Sequence, residues 1–158
     1  FQYSSTNAAT YEMAADLIRR GLDVGTINTQ IYDNNPYRKI ELLRSLLNTL
    51  ELSENGKVAD CQLPYSVKEQ YQLQPEDSEG QIDVIRSIEG VVVAAFFEEL
   101  PDGKIRVSLR AKDDSVNVCK IAQQFGGGGH TRAAGIRMTG PINSARSRVL
   151  EAISQVIS

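Results

Sequence analysis

The sequence predicts an α/β fold in which a mixed sheet of about five strands carries packed helices and follows a helical N-terminal appendage. Two observations lead to this prediction. Apolar residues recur at helical spacing in the first third of the chain, whereas strand patterns and short helices follow the SENG segment. The chain has 158 residues, 41% of them hydrophobic, which suits one ordinary domain with an appendage.

Two helices are predicted near the N-terminus. The first runs from Thr6 to Gly21, with Ser5 or Thr6 as its cap and Gly21 as its stop. Its apolar stripe consists of Ala8, Tyr11, Ala15 and Ile18. The segment DVGTINTQIYDN predicts a second, short helix.

The segment NPYRKIELLRSLLNTLEL predicts a third helix that is amphipathic. Pro36 suits its first turn. The apolar residues at spacings of three and four are Ile40, Leu43, Leu46, Leu47 and Leu50. Such a helix is a plausible connector between domains.

The clearest strand signal is a hairpin, because VVVAAFFEEL and IRVSLRAK flank the turn PDGK. Alternation places Val107 and Leu109 on one side of the second strand and Arg106, Ser108 and Arg110 on the other. Upstream, KVADCQLP predicts a strand and SVKEQYQL a short helix. The segment PEDSEGQIDVIRSIEG predicts a solvated acidic loop and a helical turn.

The C-terminal third predicts a helix, a strand and a helix. SVNVCKIAQQF has helical spacing, with Asp114 or Ser115 as cap and an end at Gly126. AAGIRM predicts a short strand, and NSARSRVLEAISQVIS, after Pro141, a final amphipathic helix. The predicted core contains Val92, Ala94, Phe96, Val107, Leu109, Ile121, Phe125, Ile136, Leu150 and Ile153.

Composition narrows the class of protein. There is no run of about 18 apolar residues and no signal-like start, so we expect a cytoplasmic piece of a longer protein with no membrane contact. Cys61 and Cys119 lack metal-type spacing and are expected to be reduced packing thiols. The charge is asymmetric: residues 1–102 carry 8 Lys and Arg against 17 Asp and Glu, whereas residues 103–158 carry 9 against 3. An anionic ligand is therefore expected in the basic C-terminal third.

That basic third contains the segment FGGGGH at residues 125–130. Four glycines could form a flexible linker, a structural turn, or a nest whose N–H groups bind phosphate. A linker is disfavoured because the run is short and lies between two segments that ought to pack. His130 and Arg132 could add charge-assisted donors at the rim. A single histidine is more often structural than catalytic, and Arg110 could be an ordinary edge-strand arginine, so these alternatives stay open.

The segments SLRAK and VNVCKIAQQFGGGGHTRAAGI resemble the C-terminal DHH-associated domain of the Asp-His-His (DHH) phosphoesterases. GGGGH followed by Ala-Ala-Gly is the hallmark of that domain. The segment FQYSSTNAATYEMAADLIRRG resembles the end of the catalytic DHH domain. The resemblance implies a catalytic-domain remnant at residues 1–35, a connector helix at 36–52 and a DHH-associated substrate-binding domain at 53–158.

The resemblance further implies a two-domain phosphoesterase, a hydrolase in which the N-terminal DHH domain binds two divalent metals, usually manganese, and the C-terminal domain holds the substrate. Gly126 to Gly129, His130 and Arg110 match the family's substrate-binding positions, while Arg132 occupies a variable position and is included for its charge. The candidate substrate- and phosphate-binding residues are Arg110, Gly126, Gly127, Gly128, Gly129, His130 and Arg132. No catalytic or metal-binding residue is expected in this chain, which we therefore expect to be inactive by itself.

Three classes of function follow. The leading one is the substrate-binding half of an enzyme that degrades short oligoribonucleotides or dephosphorylates 3'-phosphoadenosine 5'-phosphate, with a cyclic or linear dinucleotide phosphodiesterase as its runner-up. The second is a RecJ-like module that binds single-stranded nucleic acid without chemistry. The third is a packing or dimerisation domain. Expected partners are a short oligonucleotide or nucleotide, the N-terminal DHH domain of the same chain and a possible second copy in a homodimer.

Overall fold

The computed structural model describes residues 5–157 of the chain. The chain divides into two compact units, of which one ends at Pro36 and the other begins at Tyr37. Among the described residues, no helix combines the length and the hydropathy needed to span a bilayer.

Helices and strands alternate irregularly along the chain, as expected for a mixed α/β fold. The helices are α1 (Ala8–Arg19), α2 (Val24–Tyr32), α3 (Tyr37–Asn48), α4 (Tyr65–Tyr71), α5 (Gln81–Arg86), α6 (Val118–Gln123) and α7 (Ile142–Ser154). The strands are β1 (Glu51–Ser53), β2 (Val58–Leu63), β3 (Val93–Glu99), β4 (Lys104–Ala111), β5 (Gly128–His130) and β6 (Ala133–Thr139).

The first unit contains α1 and α2. The cap of α1 is Asn7, not Ser5 or Thr6 as predicted, because Asn7 and Thr10 exchange side-chain-to-backbone hydrogen bonds of 3.3 Å in a capping box. Gly21 follows α1 with a φ of +94°, the left-handed conformation of a helix stop. The side chain of Asp23 then caps α2.

The second unit is built on a six-stranded mixed sheet in the order β1-β2-β3-β4-β6-β5. Only β2 and β3 run parallel; the other neighbours are antiparallel. The predicted hairpin is confirmed as β3 and β4, whose turn contains Gly103 at a φ of +72°. The sequence patterns indicate four of these six strands, and β1 and β5, of three residues each, are short edge strands that no pattern indicates.

Both faces of the sheet bury an apolar cluster, so the unit has three layers. On one face α6 and α7 pack against β3, β4 and β6. On the other face α3 and α5 cover β2 and β3. Beyond them, β6 and β5 leave this second face open: Gly135, Arg137, Gly128 and His130 are all exposed there. The second face of the sheet is thus covered over β2 and β3 and open over β5 and β6.

All ten residues of the predicted core are buried or partly buried. Val92, Phe125 and Leu150 are only partly buried and pack at the edge of the first cluster. The fully buried members of the prediction are Ala94, Phe96, Val107, Leu109, Ile121, Ile136 and Ile153.

The buried face of α3 differs in part from the prediction, since Leu46 and Leu50 of the predicted stripe do pack on the sheet but Leu42 joins them in place of Ile40 and Leu47. Leu42 and Leu46 are at most 1% exposed, whereas Ile40 and Leu47 are about half exposed at 52% and 47%. The helix carries two apolar faces, and the pair spaced by four residues at 42 and 46 is the one that packs on the sheet.

The acidic segment between α4 and β3 was predicted to be solvated, but part of it is buried. Asp77 is 2% exposed and accepts hydrogen bonds from Arg38 Nε at 2.6 Å and from the N–H of Gln74 at 2.7 Å. Burial raises the pKa of Asp77, but these hydrogen bonds outweigh burial and the pKa is lowered. Asp77 thereby holds its turn against the start of α3.

A second buried carboxylate fixes α7. Asp60 on β2 is fully buried and accepts hydrogen bonds from Nε and Nη2 of Arg146. The same guanidinium also donates to Glu51 on β1 at 2.6 Å. Arg146 therefore satisfies a charge that the sheet has removed from water.

Candidate functional site

The glycine run is part turn and part strand. After α6, which Asn117 caps in place of the predicted Asp114 or Ser115, the N–H of Gly127 donates to the carbonyl of Ala122 at 2.9 Å. The helix ends at Gln123, short of the predicted Gly126, whose φ of +74° reverses the chain. Residues 128–130 then pair with β6 as the edge strand β5. A flexible tether does not describe this segment.

Two of the four glycines are required by close packing inside the chain. A Cβ on Gly127 would lie 2.2 Å from the carbonyl oxygen of Gly135. A Cβ on Gly129 would lie 2.4 Å from the carbonyl oxygen of Ala133. Both distances are far below van der Waals contact, so the turn and β5 reach β6 only without side chains at these two positions.

Gly128 and Gly135 have no such requirement. A Cβ on Gly128 would meet nothing within 4 Å, and one on Gly135 only the carbonyl oxygen of Val107 at 3.8 Å. The two residues are paired across β5 and β6 and are exposed. The fold therefore does not explain their missing side chains, which leave a bare strip of backbone on the open face.

The strand register aligns the predicted site residues beside this strip. Arg110 on β4 lies opposite Ala133 on β6, and Ala133 lies opposite His130 on β5. Directly opposed residues of antiparallel strands share a face. Arg110 and His130 thus lie on one face, two strand spacings or about 10 Å apart.

The neighbouring rows complete this surface. Ser108 lies opposite Gly135, and Arg106 lies opposite Arg137, on the same side of β4 and β6 as Arg110. We call the resulting surface the basic glycine face. It consists of Arg106, Ser108, Arg110, Gly128, His130, Gly135 and Arg137.

Arg110 and His130 are available to a ligand. Among the residues that the structure describes, Arg110 donates a hydrogen bond through Nη1 to the carbonyl of Leu109 at 3.1 Å and to no other group. Within residues 5–157, neither Arg110 nor His130 has a carboxylate within ion-pair distance. An unpaired guanidinium and an imidazole beside exposed backbone are suited to bind an anionic oxygen.

Arg132 is placed differently. It follows β5 in the turn to β6, and Asp114 accepts two hydrogen bonds from its guanidinium at 2.7 and 2.6 Å. The hydrogen bond from Arg132 lowers the pKa of Asp114, so the carboxylate stays ionised beside the cation. The charge of Arg132 is therefore largely neutralised, and its role in phosphate binding stays a prediction.

A nest, one of the alternatives for the glycine run, cannot use the first two N–H groups of the run. The N–H groups of Gly126 and Gly127 donate to the carbonyls of Gln123 and Ala122 within the helix-end turn. Gly128 lies in the extended edge strand instead. The backbone that faces outward is therefore that of β5, and the remaining donors of the surface are side chains.

The residues missed by sequence reasoning are Gly135, Arg137 and a loop opposite β4. Strand alternation across AAGIRM would have found the first two, since Ala133, Gly135 and Arg137 share a face. The loop belongs to the acidic segment that follows α4, and only the tertiary structure places it opposite β4. Together with β3 and β4 it encloses a cavity of about 220 Å³. The lining includes Ser78, Glu79, Gly80, Arg106, Ser108 and Arg110.

The residues of the basic glycine face are not a set of metal ligands. In the part of the chain that the structure describes, no group of three or more His, Cys, Asp or Glu side chains could hold a metal ion. The basic glycine face offers one imidazole and several cations, a set suited to anions and not to a divalent metal.

Comparisons with known proteins place this surface in a family. The family model of the DHHA1 domain matches residues 61–158, which include every residue of the basic glycine face. A bifunctional oligoribonuclease and PAP phosphatase, NrnA, of Thermus thermophilus is 28% identical over 100% of this chain and 47% of its own length. A probable bifunctional oligoribonuclease and PAP phosphatase NrnA of Streptococcus mutans is 30% identical over 85% of this chain and 42% of its own length.

A solved structure is similar over nearly the whole chain. An exopolyphosphatase-related protein from Bacteroides fragilis has a TM-score of 0.91 at 24% identity, over 99% of this chain and 46% of that protein's chain. At this identity the similarity shows the fold. The chain spans about half the length of the curated relatives that it matches.

Proposed function

The chain belongs to the DHHA1 domain family, and from this premise we propose that it is the substrate-binding part of a metal-dependent phosphoesterase. We propose as substrates short oligoribonucleotides, 3'-phosphoadenosine 5'-phosphate, or both. The names of the two NrnA relatives support these substrates. The observation that carries the proposal is the alignment of Arg110 and His130, which have no carboxylate partner among the described residues, beside the bare strip formed by Gly128 and Gly135.

The charge of this surface favours a phosphate group. Arg110 can donate two parallel hydrogen bonds to phosphate oxygens, and His130, across Ala133 in the same row, can donate one. Residues 103–158 carry 9 Lys and Arg against 3 Asp and Glu, so the local field attracts an anion although the whole chain is negative.

The bare strip favours a nucleotide over free phosphate. Without a Cβ at Gly128 and Gly135, a sugar or a planar base can lie directly against the backbone in the row next to Arg110 and His130. Ser108 on β4 lies opposite Gly135 and adds a hydroxyl that can donate a hydrogen bond to a ribose hydroxyl or accept one from it.

The same surface disfavours a long single strand. Binding of long single strands uses an extended basic groove with stacking aromatic residues. Only 6% of this chain is aromatic and it has no tryptophan. Residues 1–102 carry 17 acidic against 8 basic side chains and would repel a long polyanion. A short ligand therefore suits the chain better than a RecJ-like function.

Hydrolysis in this proposal belongs to another part of the protein. Two divalent metals, with manganese as the proposed ion, would supply an activated hydroxide and stabilise the leaving oxygen. The described residues, 5–157, offer no group that fits those ions, so the proposed contribution of this chain is to bind and orient the substrate. The proposed partner is a DHH domain of the same protein.

The proposal is tested by titrating the chain with adenosine 5'-monophosphate (AMP) and with 3'-phosphoadenosine 5'-phosphate. Arg110→Ala and His130→Ala should each weaken binding by about tenfold or more, since each removes a hydrogen bond to a charged group. Arg148→Ala is the matched control, because Arg148 lies over the ring of Phe125 beside α6 and α7 on the opposite face. The proposal would be contradicted if Arg110→Ala and His130→Ala bound both ligands as tightly as Arg148→Ala and the unsubstituted chain.

A further inference from the structure

A second cavity adjoins the basic glycine face. It has a volume of about 240 Å³ and lies between α4, the turn before α5 and the β3–β4 hairpin. Its walls are largely apolar, with Leu63, Leu73, Leu100 and the ring of Tyr65 among them. Ser78 and Arg106 line both this cavity and the one beside Arg110. The two cavities are therefore neighbours that share one wall.

The shared wall, Ser78 and Arg106, is polar and carries one cation, while in the second cavity as a whole Lys68 and Arg106 are balanced by Glu69 and Glu98. Glu98 is 4% exposed and forms ion pairs with Lys68 at 2.6 Å and with Arg106. Arg106 also donates through Nη2 to the hydroxyl of Ser78 at 2.9 Å. Two cations thus surround one buried carboxylate, and the Arg106 side chain remains 46% exposed. Its exposed edge can contact an anion that passes over the wall.

Dimensions restrict the ligand of the second cavity. Its volume is below the 300–1,000 Å³ typical of pockets for drug-sized ligands, so it suits one planar ring system and not a whole nucleotide. Arg106 and Arg110 are four residues apart on the same face of β4, which is about 14 Å along the strand. A ligand that bridges them must be an extended chain of a few units.

These features fit one ligand class. Apolar walls with an aromatic ring stack a nucleobase, and an exposed arginine beside them suits the phosphate that links one nucleotide to the next. We propose that the second cavity receives the base of the neighbouring nucleotide when a terminal phosphate is bound at Arg110 and His130, with Arg106 at the intervening phosphate. This base subsite rests on the proposed function and would make the chain select a dinucleotide over a mononucleotide.

The experiment compares AMP with 5'-phosphorylated diadenylate by calorimetry in metal-free buffer. The unsubstituted chain should bind the dinucleotide about tenfold or more tightly than AMP, because one further base is stacked. Leu100→Trp fills the cavity from the hairpin and should remove this gain while AMP affinity changes less than about twofold. Tyr65→Leu removes the aromatic ring while leaving an apolar side chain and should reduce the gain, so it decides the question if Leu100→Trp does not fold.

Leu52→Trp is the matched control, since Leu52 is 52% exposed on β1 and lines neither cavity. It should bind both ligands as the unsubstituted chain does. A dinucleotide gain that persists in folded Leu100→Trp or in Tyr65→Leu would overturn the base subsite, as would the absence of any gain in the unsubstituted chain. If AMP binding itself were insensitive to His130→Ala, the proposed function would fail first, and the subsite with it.

Discussion

Replacing Gly127 and Gly128 separately by alanine should divide folding from binding. In Gly127→Ala the new Cβ lies 2.2 Å from the carbonyl oxygen of Gly135, about 1 Å inside the shortest tolerated contact. The turn or β6 must move, and overpacking of this kind costs about 1–3 kcal/mol of the free energy of unfolding. In Gly128→Ala the Cβ meets nothing within 4 Å of an extended, exposed strand.

Gly128→Ala should therefore leave the fold as stable or increase its stability by up to about 1 kcal/mol, since alanine restricts the unfolded chain. Its effect should appear in binding, because the methyl group occupies the bare strip where the proposed ligand approaches the backbone. We expect AMP affinity to fall by about tenfold, which corresponds to about 1.4 kcal/mol.

Two assays on both variants test this reasoning. Urea unfolding gives the free energy of unfolding, and calorimetry gives the affinity for AMP. Gly135→Ala provides a second test of the strip, because its Cβ also meets only an ordinary contact at 3.8 Å. The reasoning is refuted if Gly128→Ala and Gly135→Ala bind AMP within about twofold of the unsubstituted chain, or if Gly127→Ala is no less stable than Gly128→Ala.

Four further predictions concern the rest of the chain. Arg146→Ala should lower the free energy of unfolding by about 3–5 kcal/mol, because it leaves the fully buried Asp60 uncompensated; a loss below about 1 kcal/mol in urea unfolding would contradict this. Burial, together with the charge of Asp60, raises the pKa of Cys61 to about 12, so iodoacetamide should modify the partly exposed Cys119 first, and equal modification of the native protein would be inconsistent. The Cys61 thiol ionises more readily in the unfolded chain than in the folded one. Its contribution to the free energy of unfolding is therefore present below about pH 9 and should be lost as the pH rises toward 12. The chain with added manganese should not hydrolyse a phosphate diester, and measurable turnover would show that we have placed the chemistry wrongly.

Short sequence patterns predicted the features that depend on neighbouring residues in the chain, such as turns and strand alternation. The β3–β4 hairpin follows from Pro-Asp-Gly between two β-rich runs, and the alternation along β4 places Arg110 on the open face. The caps were predicted less well, because Ser5, Thr6 and Asn7 are all suitable capping residues and only the geometry selects Asn7.

Tertiary contacts determine what the sequence could not predict. Glycine has a low strand propensity, and β5 exists because its backbone pairs with β6. The close approach of Gly127 to Gly135 is a contact between segments, so the sequence shows that side chains are missing without showing what replaces them. Arg132 and Asp114 are 18 residues apart, and their ion pair becomes visible only when the helix and the hairpin turn meet.

Exposed cations on a sheet were the least certain part of the site from sequence, because a strand arginine is equally suited to an ion pair. Arg106 and Arg110 illustrate the difference: Arg106 pairs with the buried Glu98, while Arg110 has no carboxylate partner among the described residues. The distinction depends on which cross-strand neighbour is acidic. On β3 the neighbour of Arg106 is Glu98 and that of Arg110 is Ala94.

The central claim is that the basic glycine face binds a nucleotide phosphate. We would measure the backbone amide shifts of Gly128, Gly129 and Gly135 by NMR while AMP is added to the chain, with His130→Ala in parallel. Saturable shifts at these glycines that are lost in His130→Ala are the predicted result. Shifts absent at millimolar AMP, or identical in His130→Ala, would contradict the claim that these residues form the phosphate site.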